Sequence, residues 1–289
     1  MLTVQLLVTG IQTGALYALT AAGFALIFGA TRVFHVAHGA VFLLAGYIFL
    51  TAHDVGLGWI VSILLATLAA VGAGLLAERL VYRPIQRSEG SFFTVFVASF
   101  GITILIQSMI ELLFGRGFVV VSTPLTRSTE VLPGLFLAPI FWVTVAATIA
   151  VSVIVGLFLS RAPAGLALRA LFHNPELIRA YGLSSNRISA LAFAIGSALT
   201  VPAAVLTALS TGLQPAAGHH LMLISLTAAF VGGIGSLRGA ALAGLLLGLA
   251  ENLAVLVVDT QWAEAVSFLV LFAFILFRPH GIFGEAGAK

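Results

Sequence analysis

The chain has 289 residues, 61% of them hydrophobic and only 8% charged, with a mean hydropathy of +1.16; soluble domains carry about 25% charged residues, so a water-soluble fold is excluded. The 13 basic residues behind the net charge of +3 are dispersed between apolar runs and form no stripe, which argues against nucleic acid as a partner. The absence of cysteine removes disulfides, thiolate metal sites and cysteine nucleophiles.

The start, Met1-Leu2-Thr3-Val4-Gln5, has no basic n-region and no small-residue cleavage site follows it, so the first helix is expected to be retained. Crossing a hydrocarbon core of about 30 Å takes roughly 20 helical residues. Apolar runs between charged or Gly/Pro breaks predict helices near 4–29, 36–52, 59–80, 93–114, 137–159, 188–209, 221–234, 240–258 and 263–277. The expected fold is an all-α polytopic membrane protein of about nine spans, with residues 1–289 forming one transmembrane domain. The segment at 221–234 is short for a span, and a re-entrant or broken helix is an alternative there.

Basic residues fix the expected orientation. Arg79, Arg83 and Arg87 follow the third helix, and Arg161, Arg169, Arg179 and Arg187 lie between the fifth and sixth; both loops are expected inside. Nine spans then put Arg32, Arg238 and Arg278 inside as well, with the N-terminus outside. The loop from Gly115 to Pro133 carries Phe118-Val119-Val120-Val121 and reads either as a folded elaboration that seats a partner or as an ordinary surface loop with a short strand.

No G-x-x-x-x-G-K-[ST] motif exists, because the only lysine is Lys289, so the chain has no P-loop for ATP. Hydrolase and metalloprotease motifs are also missing, and no cofactor or enzyme activity is expected. His219-His220 reads as a loop pair rather than a metal site. Ionisable groups inside apolar segments are few: Glu111, Glu251, and His35 with His38 at a helix start. Glu251 either faces a polar path or bonds a neighbouring helix. Small residues from Gly232-Gly233-Ile234-Gly235 through Gly239, Gly244 and Gly248 predict close helix packing.

The segment 161–187 is the most distinctive. Ala162-Pro163-Ala164-Gly165 breaks the fifth helix, Leu166 to Phe172 forms a short helix, Asn174 with Pro175 starts another, Gly182 suits a left-handed C-terminal cap, and Ser184-Ser185 caps the next span. Two short helices held between spans form either a knob for a groove on a soluble partner or a segment lying in the lipid interface.

In Gly165-Leu166-Ala167-Leu168-Arg169-Ala170, Asn174-Pro175-Glu176, Ala180 and Tyr181-Gly182-Leu183, this segment resembles the ATPase-coupling loop of the branched-chain amino acid ABC permease family of the LivH type. His35-Val36-Ala37-His38-Gly39 with Gly46-Tyr47 is similar to that family's Asn-x-Ala-His-Gly block, with His35 where the family commonly has Asn. Gly232 to Gly239 with Gly244, Gly248 and Glu251 resembles its glycine-rich hairpin, and Arg278-Pro279-His280-Gly281-Ile282-Phe283-Gly284 its closing motif.

The resemblance implies a permease subunit in a bacterial inner membrane, embedded in lipid, that forms the pathway for branched-chain or related amino acids. Implied partners are a second, LivM-like permease subunit, two cytoplasmic ABC ATPases and an extracytoplasmic solute-binding protein. It assigns ATPase coupling to Leu166, Arg169, Ala170, Asn174, Pro175, Glu176 and Gly182, and a gate or pathway to His35, His38, Gly39, Gly233, Gly235 and Glu251. The rival reading is a secondary carrier or passive channel for a small polar solute; the missing charged relay disfavours the carrier, and the coupling loop disfavours both.

Overall fold

The computed structural model describes residues 1–88, 90–121, 123–173, 178, 182–278 and 280–283. The helices are α1 (Leu2–Thr31), α2 (His38–Asp54), α3 (Gly58–Leu76), a π-helical turn (Ala77–Tyr82) running into α4 (Arg83–Arg87), α5 (Phe92–Phe114), α6 (Ile140–Arg161), α7 (Pro163–His173), α8 (Ser185–Ser210), α9 (Ala217–Gly232), α10 (Leu237–Ala254) and α11 (Ala263–Phe277). Strands β1 (Thr129–Leu132) and β2 (Leu135–Leu137) pair antiparallel between α5 and α6. Helices dominate because a chain this apolar must satisfy its backbone polar groups within each segment.

Among the described residues, seven helical segments are long and apolar enough to cross a membrane, counting Gly58–Arg87 as one. With α2 (17 residues) and α9 (16 residues) they match the nine expected segments one for one. At 1.5 Å per residue α9 is roughly 24 Å long, short of a full crossing, as its sequence suggested.

Helix α1 is the axis of the molecule, buried without interruption from Gly14 to Ile27. Its neighbours come this close because glycines face them. A Cβ on Gly14 would lie 2.6 Å from the Leu245 carbonyl of α10, Gly248 backs onto Gly14, and a Cβ on Gly244 would lie 2.7 Å from the Ala18 amide. Farther along, a Cβ on Gly23 would lie 2.6 Å from the Gly196 carbonyl of α8. The seam with α10 is thus antiparallel and set by backbone contact, the small-residue packing that membrane helices use in place of a hydrophobic driving force.

Two helices begin inside the bundle. His38, the first residue of α2, donates from Nε2 to the Thr20 carbonyl at 2.9 Å, well within α1 rather than at its end. Helix α9 begins beside Tyr17, midway along α1, where Tyr17 Oη lies 2.9 Å from His220 Nε2. The first turns of α2 and α9 overlap, with Gly39 against the Gly218 carbonyl and a Cβ on Gly218 only 2.6 Å from Leu43.

The basic segments meet at one end. The Arg83 guanidinium donates to the Asn186 carbonyl at 2.9 Å, and a Cβ on Gly29 would lie 3.0 Å from Phe172 of α7 and 3.2 Å from Gly235. The Ile282 and Phe283 amides donate to the Val231 and Gly232 carbonyls at 2.8 and 3.1 Å, supplying donors for carbonyls that the end of α9 leaves without helical partners. At the opposite end the Gln5 amide bonds the Phe136 backbone twice, at 3.0 and 2.9 Å, and Val119 bridges Leu213. The loop after α5 is therefore folded, and tied to α1 and to the chain leading into α9.

Candidate functional site

Helix α7 packs one face inward. Gly165 lets its first turn close on the end of α6, where a Cβ would lie 2.7 Å from the Leu159 Cα. Leu168 and Leu171 are buried with Leu26 and Ala30 of α1, Leu159 of α6 and Ile188 of α8. Leu166 is 48% exposed, Arg169 is exposed three residues on, and Ala170 is half-buried. Leu166 and Arg169 thus share the outward face. Asn174, Pro175 and Glu176 lie outside the described residues. Gly182 has φ +73°, the left-handed backbone that glycine adopts freely, and the Leu183 amide bonds the Ile178 carbonyl at 3.1 Å; the helix it was expected to cap lies, apart from Ile178, outside the described residues. Ser184 stands at the N-cap of α8 but its hydroxyl makes no capping bond, so the serine pair does not cap as expected.

His35 and His38 are 0% and 1% exposed and join elements within the subunit. Tyr82, at the end of the π turn, donates to Ser99 Oγ of α5 at 2.8 Å, which requires His35 Nδ1 to donate to Tyr82 Oη at 2.8 Å. Ser99 Oγ also accepts the Ala37 amide at 3.1 Å. One hydroxyl pair therefore ties the linker before α2 to both α3 and α5. The same π turn carries Glu78, which Arg83 holds through Nε at 3.1 Å and a terminal nitrogen at 2.7 Å; a carboxylate this buried needs such a partner. Sequence reading missed Tyr82 and Ser99. The available signal was a Tyr and a Ser isolated in apolar helices, where each needs a partner.

Gly233 ends α9 at φ +103° and Gly235 turns the chain at φ +86°, and a Cβ on Gly281 would lie 2.5 Å from the Gly233 Cα. The glycine hairpin and the closing motif are thus one packed unit. Ser236 completes it by accepting the Gly239 amide at 3.0 Å as the N-cap of α10.

Glu251 is buried in α10 and accepts from Tyr17 Oη at 2.8 Å and Ser267 Oγ at 2.5 Å. Because the Tyr17 proton goes to Glu251, His220 Nε2 donates to the Tyr17 oxygen. The cluster joins α1, α9, α10 and α11. His219 and His220 lie in the first turns of α9, not in a loop as their adjacency suggested; the chain re-enters the bundle before them and the helix starts at Ala217. Glu111 pairs with Arg116 at 3.0 Å, which holds it toward the end of α5. A cavity of about 250 Å³ opens at the end opposite α7, lined by Gln5, Thr9, Gln12, Thr13 and Ser210 among others.

Comparison with known proteins accounts for this arrangement. The family model described as branched-chain amino acid transport system / permease component matches residues 6–275. The chain is similar to the high-affinity branched-chain amino acid transport system permease protein BraD of Pseudomonas aeruginosa, 32% identical over 97% of this chain and 95% of BraD. It is also similar to LivH of Escherichia coli, at 30% identity over 97% and 95%, and to LivH of Salmonella typhimurium, at 29% over 97% and 95%. Among solved structures, PsaBC from Streptococcus pneumoniae in complex with Fab shares the fold, with a TM-score of 0.53 at 12% identity over 94% of this chain and 91% of that one. A helical bundle of membrane-spanning length, with the family's motifs at a packed hairpin, a left-handed glycine turn and a buried carboxylate, belongs to the branched-chain amino acid transport permease family.

Proposed function

We propose that this chain is the pathway-forming permease subunit of an ATP-binding-cassette importer in a bacterial inner membrane, moving branched-chain or related amino acids delivered by a binding protein. The observation that carries the reading is α7: its buried leucines clamp it to α1, α6 and α8 while Leu166 and Arg169 face outward, on a chain with no nucleotide-binding motif of its own. The basic end is the cytoplasmic one. There one of two ATPase subunits docks on α7 and the segment through Gly182, the other on the second permease subunit, and their closure tilts the helices α7 is clamped to. A second, LivM-like permease subunit completes the pathway, and the solute-binding protein meets the end carrying β1 and β2. His35, His38, Gly39, Gly233 and Gly235 act in gating by setting how α2 and α9 pack, and Glu251 fixes α11 to the core.

Reconstitution with all partners in proteoliposomes, measuring uptake and ATP hydrolysis together, tests the coupling. Replacing Arg169 and Glu176 with alanine is expected to lower uptake at least tenfold and to leave hydrolysis unresponsive to loaded binding protein; the Arg169 side chain is exposed, where substitutions cost little stability. Parental uptake with normal stimulation removes the coupling role from both residues.

A further inference from the structure

Most of the surface that α3, α5, α6 and α11 expose is aliphatic or aromatic. Ile63, Leu64 and Leu68, Ile104 and Leu105, Val153 and Ile154, and Phe268 and Phe272 all stand open at middle positions of their helices. That is the surface hydrocarbon accepts. One face of α9 and the chain leading into it is different. Gln214 is exposed, His219 and His220 are half-buried, and Leu223 is 41% exposed. The depth of the two histidines is fixed by the bond from His220 to Tyr17, halfway along α1. Behind them stands the carboxylate of Glu251, held by Tyr17 and Ser267. Two imidazoles at that depth are costly against lipid tails, which offer no hydrogen bonds. Polar side chains and irregular backbone at membrane depth are tolerated where they line water or are covered by protein.

Resting on the permease reading above, we infer that the face of α9 running from Gln214 through His219 and His220 to Leu223 lines the aqueous route of the solute. The face changes character along its length. Below the polar groups it continues through Leu223, Leu226 and Phe230 to Ile234, which is 42% exposed at the hairpin. Hydrogen-bonding side chains above an aliphatic stripe suit a small zwitterion with an apolar side chain. The Glu251 carboxylate lies behind Tyr17 and is buried, so the polar groups this face offers a solute are Gln214 and the two imidazoles.

The cysteine-free chain allows a direct test in the complete transporter. Single cysteines are placed at His219 and Leu223, with Leu105 and Ile154 as reference positions on apolar faces, and a permanently charged, water-soluble methanethiosulfonate reagent is applied. Positions 219 and 223 are expected to react at least tenfold faster than 105 and 154, to be slowed by saturating solute with loaded binding protein, and to lose most uptake once modified. Reaction at 219 and 223 no faster than at the reference positions overturns the inference, as does full modification without loss of uptake. If His219→Cys does not assemble, Leu223→Cys alone decides the matter. Uptake of leucine by the unmodified variants is measured in parallel: its absence there and in the parent counts against the permease reading, while the labelling pattern still decides whether the α9 face meets water.

Discussion

The seam between α1 and α10 and the short helix α7 are built on opposite terms. In the seam both partners are fixed: Gly14 faces the Leu245 carbonyl and Gly248 backs onto Gly14, so backbone meets backbone and no side chain can yield. Helix α7 is fixed on one face only, with Leu168 fully buried and Leu166 48% exposed. The lesson is that the seam is where substitutions alter the fold, and the outer face of α7 is where they alter function with the fold intact.

The severest test of that division is the seam. Gly14→Ala and Gly248→Ala each force the helices apart, and overpacking of this kind costs about 1–3 kcal/mol; the two together are expected to abolish recovery of monodisperse protein in detergent. Normal recovery and an unchanged melting temperature show that the seam is looser than its contacts imply.

Within α7 the two faces should separate cleanly. Leu168→Ala empties a buried site, for which about 2–5 kcal/mol is usual, and is expected to lower the melting temperature. Leu166→Ala with Arg169→Ala should leave melting within about 0.5 kcal/mol of the parent and reduce uptake at least tenfold. Equal melting of the two variants erases the distinction between the faces.

A smaller effect is expected at the hairpin. Gly233→Ala places a side chain at φ +103°, and left-handed backbone costs a non-glycine residue roughly 1–2 kcal/mol. Uptake should fall several-fold with the protein still assembled, as read by copurification of its partner subunits and by transport. Parental transport removes Gly233 from the gate.

The smallest effect sharpens the comparison by control. At Gly72, Gly101 and Gly156 an added Cβ would have nothing within 4 Å, so alanine there should be neutral or stabilising by up to about 1 kcal/mol, the helix-propensity difference. Lower melting for these variants would mean that membrane helices here resist any added methyl, not close approach in particular.

Much of this architecture was legible in the residues. Apolar run length gave the nine helical segments because a backbone in hydrocarbon must bond to itself, and the short run after Gly218 correctly marked a helix too short for a full crossing. Gly182 signalled its left-handed backbone because few residues other than glycine adopt it freely. His35, Glu251 and the hairpin glycines stood out as residues too costly or too small to be incidental in such a chain. Their partners did not stand out. Tyr82 lies 47 residues from His35 and Tyr17 lies 234 from Glu251, and a hydroxyl in an apolar helix does not say which neighbour it will meet.

Composition, run length and the placing of arginines were sufficient to determine a polytopic bundle with its basic loops at one end, because transfer into hydrocarbon acts on each segment separately. The tertiary structure decided which faces meet. It took the three-dimensional packing to bring Gly39 against Gly218, to seat Glu251 between α1 and α11, and to leave His219 half-exposed while His35 is enclosed. Those outcomes depend on crossing points and helix rotations set by many contacts at once, and every apolar helix in this chain carries nearly the same local preference.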